Sequence, residues 1–249
     1  PYAFKAPYVN VDGGLSNKGV EITASYRGNA GEFNYEVNGN FSYIENKVTK
    51  LTGGKVISGS TFYDVGYPLN SLYGYEAIGI YQTADDLKKY PAMINKNVSL
   101  GDIIYKDQNG DGKIDANNDR VYLGTYFPKV NYGLTLAANW KNFDLSLFFQ
   151  GAAGVKAMAS DMIGLVGPDV QKPTSVFLDR WTPENHSTMF PRVWYSYTQN
   201  SPTTNPSSFW AKDASYLRLK NLMLGYNLPQ SIIKHIGLSN VKVYYSGQN

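Results

Sequence analysis

Apolar and polar residues alternate with period two in run after run of this chain, and the spacing between runs follows a rule of its own. In 19–27, Val20, Ile22, Ala24 and Tyr26 fall on one side and Glu21, Thr23, Ser25 and Arg27 on the other. In 33–43, Phe33, Tyr35, Val37, Phe41 and Tyr43 share a face opposite Asn34, Glu36, Asn38, Asn40 and Ser42. Further runs cover 132–140, 143–150, 215–228 and 241–246. Strict alternation is the mark of a strand with one apolar and one polar face. Within 215–228 the apolar phase slips between Leu219 and Leu222, which predicts a bulge. GNAG (28–31), Lys141-Asn142 and the connector LPQSIIKHIGLSN supply short joints, whereas 44–127 and 151–213 are long. Connections thus run short, long, short, long, short. In an antiparallel up-and-down sheet this parity puts every long loop at one end and every short turn at the other, as in transmembrane β-barrels.

Composition agrees. Tyrosine is 21 of 249 residues and aromatics are 14%, which favours strands over helices. Tyr26, Tyr43 and Trp140 fall near strand ends, where an aromatic girdle would sit. There is no run of about 18 apolar residues, so no helix is expected to cross a membrane. The net charge of +3 is spread out with no basic stripe, which argues against nucleic acid as a partner. There is no cysteine, so disulfides and thiolate metal sites are excluded. The chain begins at Pro1 without a leader and stops after a strand-like run, and it reads as a piece of a longer protein. The competing expectation is a soluble carbohydrate-binding β-sandwich with a structural calcium, its apolar faces turned to a core.

Several stretches carry a resemblance. SNKGVEITASYRG (16–28), GYPLNSLYGYEAIGIYQTADDL (66–87), GDIIYKDQNGDGKIDANNDRVYLG (101–124), WKNFDLSLFFQGAAG (140–154), SSFWAKDASYLRLKNLMLGYNLP (207–229) and VKVYYSGQN (241–249) resemble, in order, segments of the SusC/RagA-like TonB-dependent outer-membrane transporters. The resemblance implies an all-β fold: a C-terminal portion of an antiparallel up-and-down barrel spanning 1–249, with long extracellular loops at about 44–127 and 151–213. It implies import of oligosaccharides or peptides across the outer membrane of a Gram-negative bacterium. A SusD-like surface lipoprotein would act as lid, TonB would pull through an N-terminal region absent here, and lipid would contact the barrel.

KDQNGDGKIDANNDR (106–120) has the spacing of a calcium loop. Such loops take oxygen ligands at positions 1, 3, 5, 7, 9 and 12 with glycine at 6. Counting from Asp107 gives Asp107, Asn109, Asp111, the Lys113 carbonyl and Asp115, with Gly112 sixth and Asn118 where a bidentate acid belongs. Asp119, one residue later, is the replacement if the loop bulges at Asn117-Asn118; relatives of the resembled family carry the acid one residue earlier. The flanking runs are strand-like, so an ion here would brace a loop and switch nothing. The same residues also suit a cluster of turns that cap their own backbone.

The second long segment is rich in aromatic residues. Trp181, Trp194, Tyr195 and Trp210 are the candidates for stacking on substrate, beside Tyr197 and Phe209, with Arg180, Arg192 and Asp179 as polar helpers. An alternative role is to hold the segment together. Catalysis has no motif. His186 and His235 are far apart, and neither GxSxG nor GxxxxGK[ST] occurs. Asp85-Asp86 sit in a short surface helix capped by Thr83, where neighbouring carboxylates diverge.

Overall fold

A computed structural model describes residues 12–94, 97–159, 175–193 and 205–249. The chain forms two compact units, one of 17–46, 127–155 and 214–249, the other of 47–126 and 156–213 with the N-terminal stretch.

The first unit is a single six-stranded sheet. Its strands are β1 (Gly14–Ala30), β2 (Phe33–Lys50), β3 (Val130–Trp140), β4 (Phe143–Ala153), β5 (Tyr216–Asn227) and β6 (Lys242–Gln248), and each lies beside its neighbour in sequence. Pairing from β2 to β6 is antiparallel throughout. Both long segments therefore leave from one end of the strands and all three short joints lie at the other.

The first turn falls at Gly31-Glu32 rather than across 28–31. Gly31 takes φ +62°, and Gly28 stays within β1, where the ring of Tyr35 occupies the space a Cβ would need. Lys141 takes φ +54° in the second turn. The third joint holds a short helix, Gln230–Ile233, and a 3₁₀ turn, Lys234–Ile236. The bulge lies where the phase slip predicted it. Phe148 pairs with Asn221 and Phe149 with Leu219, so Lys220 is the extra residue.

The apolar face of this sheet is not a core. Val20 is 58% exposed, Ile22 57%, Leu217 63% and Val243 62%. Among the described residues of this unit, Ala152 and Ile233 alone are buried hydrophobics. A sandwich buries its inner faces against a second sheet, so the expectation of a soluble sandwich is overturned.

The exposed face is banded. Phe33, Trp140, Phe143 and Tyr226 stand side by side across four strands at the short-turn end. Phe41, Tyr43 and Tyr132 mark the other end. From Phe33 to Tyr43 is ten residues of strand, about 33 Å at the usual rise. At a barrel tilt of about 40° that gives roughly 25 Å of height, the span of a membrane barrel's apolar band.

The second unit shows that the long segments are more than connectors. Val56–Ser58, Thr61–Tyr63, Ser71–Tyr75 and Arg120–Thr125 form one sheet in that order. Ala77–Ile80 pairs with Ile103–Tyr105, and Lys156–Met158 with Ala211–Asp213. Tyr75, Met93, Ile103, Tyr105, Ile114 and Trp210 pack as its core, beside Leu72, Leu123 and Ala211. Segment 205–210 lies against the central strand. Tyr75 N donates to Pro206 O and Ser208 N to Tyr75 O, both at 2.9 Å. A Cβ on Gly74 would stand 2.2 Å from Pro206 O, so only glycine permits the approach. Thr83 caps helix Ala84–Lys89 in a capping box with Asp86, as its sequence predicts.

Candidate functional site

The acidic loop closes on itself. The Asp107 carboxylate accepts from Gly110 N (2.7 Å) and Gly112 N (2.8 Å). Asp111 accepts from Lys113 N (2.9 Å) and from the Asn109 amide (2.8 Å). Asp115 accepts from Asn117 N (2.7 Å) and Asn118 N (3.0 Å), and these N–H groups hold its carboxyl below the ordinary range. Asp119 is fully buried, with Oδ1 accepting from Gln108 N (2.8 Å) and Oδ2 from Asp115 N (2.7 Å). Ile114, 1% exposed, roots the loop in the core.

The expected ligand set of Asp107, Asn109, Asp111, Lys113, Asp115 and Asp119 is not gathered around a point. Among the described residues no three acidic or histidine side chains converge as a metal cluster. Asp119 turns both oxygens onto backbone N–H, and Asn118 at the twelfth position donates its amide to Asp115 at 3.0 Å. A calcium shell needs six or more oxygens facing one centre, and these residues do not fit it. Their arrangement is the self-capping turn cluster. The reason is mostly local: apart from Gln108 N, which reaches Asp119 from eleven residues away, the loop's bonded N–H groups meet a side-chain oxygen two to five residues away.

Trp181 and Trp210 are corrected as stacking surfaces, for they are 7% and 1% exposed. Trp210 lies in the core. Trp181 stacks on His186 with ring centroids 5.6 Å apart and donates Nε1–H to Gln82 Oε1 at 2.9 Å. Gln82 in turn donates to Ser187 O at 3.0 Å. Trp194, Tyr195 and Tyr197 lie outside the described residues. Arg192 meets a buried partner: Nε is 2.7 Å and Nη2 3.2 Å from the carboxylate of Asp102, which is fully buried. Gly101 beside it takes φ +85°, and a Cβ there would press on the Trp181 ring at 2.5 Å. These contacts fasten 175–193 to 80–102. Burial also pushes the Tyr81 phenol up to about 12 and raises Tyr75 and Tyr105, so these hydroxyls stay protonated at neutral pH.

The polar face of the six-stranded sheet is the surface that sequence patterning located. Asn34, Asn139, Asp144 and Gly225 form one row, and Asn38, Thr135, Phe148, Asn221 and Gln248 another. Its charges are largely matched. Arg27 meets Glu36 at 3.0 Å, and Lys242 reaches Asp144 at 2.8 Å across Gly225. A Cβ on Gly225 would stand 2.5 Å from both partners, so the glycine makes room for the pair. The face is a wall of amides and hydroxyls suited to water and to a polar solute.

No protein-family model matches the chain. It is 31% identical over 249 residues to TonB-dependent receptor P3 of Formosa agariphila, a match covering 95% of this chain and 24% of that protein. It is 25% identical over 272 residues to TonB-dependent receptor SusC of Bacteroides thetaiotaomicron, covering 99% of this chain and 24% of that one. Among solved structures it is similar to the RagAB peptide transporter, at TM-score 0.74 and 25% identity over 99% of this chain and 26% of that chain. The chain spans about a quarter of the length of the relatives it matches.

Proposed function

We propose, for a chain that is SusC/RagA-like over nearly its whole length, that it forms the C-terminal sector of the barrel of a TonB-dependent outer-membrane importer of nutrient oligomers. The observation that carries this is the single up-and-down sheet. Its exposed apolar face lies between aromatic rows about 25 Å apart, and its other face is polar. The apolar face meets lipid and the polar face lines the lumen. The segment's part is passage rather than bond chemistry.

The same reading extends to the wider assembly. The substrate is an oligosaccharide or a peptide, and the solved relative is named a peptide transporter. The long segments form an extracellular body, where a SusD-like lipoprotein closes over the mouth. TonB supplies the pull through a region outside this chain. The host is a Gram-negative bacterium and the location its outer membrane.

An antibody to 101–124, used on fractionated cells, tests this. The importer predicts an outer-membrane band at about four times the mass of this chain, from its 24% share of the relatives, whose mobility shifts on boiling. A soluble band at the mass of the chain alone contradicts it.

A further inference from the structure

Asparagine followed by glycine occurs at Asn38-Gly39 and again at Asn109-Gly110. Such a pair is chemically special. Glycine leaves its backbone nitrogen unhindered, and that nitrogen can attack the side-chain amide carbon of the asparagine before it, closing a cyclic imide. The fold treats the two pairs oppositely. Asn38 lies within β2 opposite Thr135, and Gly39 lies opposite Leu134. The Asn38 amide is drawn backward: Nδ2 donates to Glu36 Oε1 at 2.7 Å, away from Gly39 N. Asn109 is exposed in the acidic loop, and its amide is drawn forward. Oδ1 accepts from Asp111 N at 3.2 Å and Nδ2 donates to Asp111 Oδ2 at 2.8 Å. With both heteroatoms fastened to residue 111, the amide carbon is folded over the Gly110 peptide that lies between. Gly110 N donates to Asp107 Oδ1 at 2.7 Å, so a proton acceptor already sits on the nucleophile. Gly110 takes φ +75°, and no atom beyond its chain neighbours stands within 4 Å of where a Cβ would be, which leaves room for the ring.

We infer that Asn109 is a self-modification site, at which the folded loop drives deamidation while the strand protects Asn38. The bond from Gly110 N to Asn109 Cγ forms as the N–H proton passes to Asp107 Oδ1, a base already in hydrogen-bond reach. Asp111 N–H meets the oxygen on which negative charge develops. The Cγ–Nδ2 bond then breaks, and the departing nitrogen keeps its electron pair, takes up the proton and leaves as ammonia. Water opens the imide at either carbonyl and gives an aspartyl or isoaspartyl residue at position 109. No oxidant, reductant or cofactor is consumed. The loop gains one negative charge. In the aspartyl product the new carboxylate faces that of Asp111 where an amide hydrogen bond now stands, so the two repel and the turn is released. The two pairs look alike in sequence, and the direction of each amide separates them.

The test holds the full-length protein at mildly alkaline pH in water enriched in heavy oxygen. Tandem mass spectrometry of its peptides follows label entering positions 109 and 38 with time. The protein unfolded in urea is followed in parallel, as is the folded variant Asp107→Asn, which keeps an acceptor for Gly110 N and removes the base. In the folded protein Asn109 should take up label at least about tenfold faster than Asn38, well within the range of one positioned proton acceptor. It should also react faster folded than unfolded, the two pairs should react at similar rates in urea, and Asp107→Asn should slow the folded reaction. A smaller ratio in the folded protein, a difference between the pairs that survives unfolding, a folded rate no higher than the unfolded one, or an unchanged rate in Asp107→Asn would each overturn the assignment.

Discussion

Asp119 holds the acidic loop shut from inside, since both oxygens of its buried carboxylate serve backbone N–H groups of the loop, those of Gln108 and Asp115. Asp119→Ala should cost roughly 2 kcal/mol, which would speed amide exchange at Gln108 and Asp115 by about thirtyfold in a hydrogen-exchange experiment. A chelator should leave that pattern unchanged, whereas loss of protection on adding it would show that the loop takes an ion. The carboxyls of Asp115 and Asp86 are both held below their ordinary value of 3.8 by backbone N–H groups, of Asn118 and Asn117 for the first and Thr83 and Gln82 for the second. A carboxyl depressed in the folded state adds stability above its unfolded pKa and loses it as pH falls through the folded one. Protease sensitivity of the loop and the helix start should therefore be flat through neutral pH and rise below about pH 4. At this scale the sequence was half legible. The spacing of Asp107, Asn109 and Asp111 marked a special loop, but the same spacing serves an ion or the loop's own N–H groups, and only the direction of each carboxylate separates them. Aromatic richness likewise announced Trp181 and Trp210 without saying that they face inward.

The strands of the sheet were the most legible elements, because a face exposed along 11–18 residues writes its period plainly into the sequence. The second unit was not. Its strands run three to six residues, and Ser71–Tyr75 is buried along its whole length, so no alternation is left to read. Gly225 and Gly151 are legible only in three dimensions: one clears the Lys242–Asp144 pair and the other seats the Tyr132 ring. Gly225→Val should destabilise the sheet by roughly 1–3 kcal/mol through overpacking, seen as a lower temperature for loss of the compact gel form. Arg192→Ala leaves the Asp102 carboxylate buried without its guanidinium, and removing one partner of a buried pair costs about 3–5 kcal/mol. The 175–193 segment should then be cut faster by protease, while the compact gel form of the barrel persists.

For the molecule as a whole, the decisive property is that one sheet bears two solvents. In the proposed importer, a sheet whose apolar side chains stay exposed in a band of about 25 Å would have its counterpart in lipid, not in a second sheet. On the same proposal the polar side would line the passage. A nitroxide scan of β3 in isolated outer membranes tests this, using single-cysteine variants at 131–140, a run that contains no native cysteine. Oxygen, which concentrates in lipid, should relax labels at 132, 134, 136 and 138, and a water-soluble relaxant should reach those at 131, 133, 135, 137 and 139. Equal accessibility at both parities, or water reaching the even positions, would contradict the barrel wall.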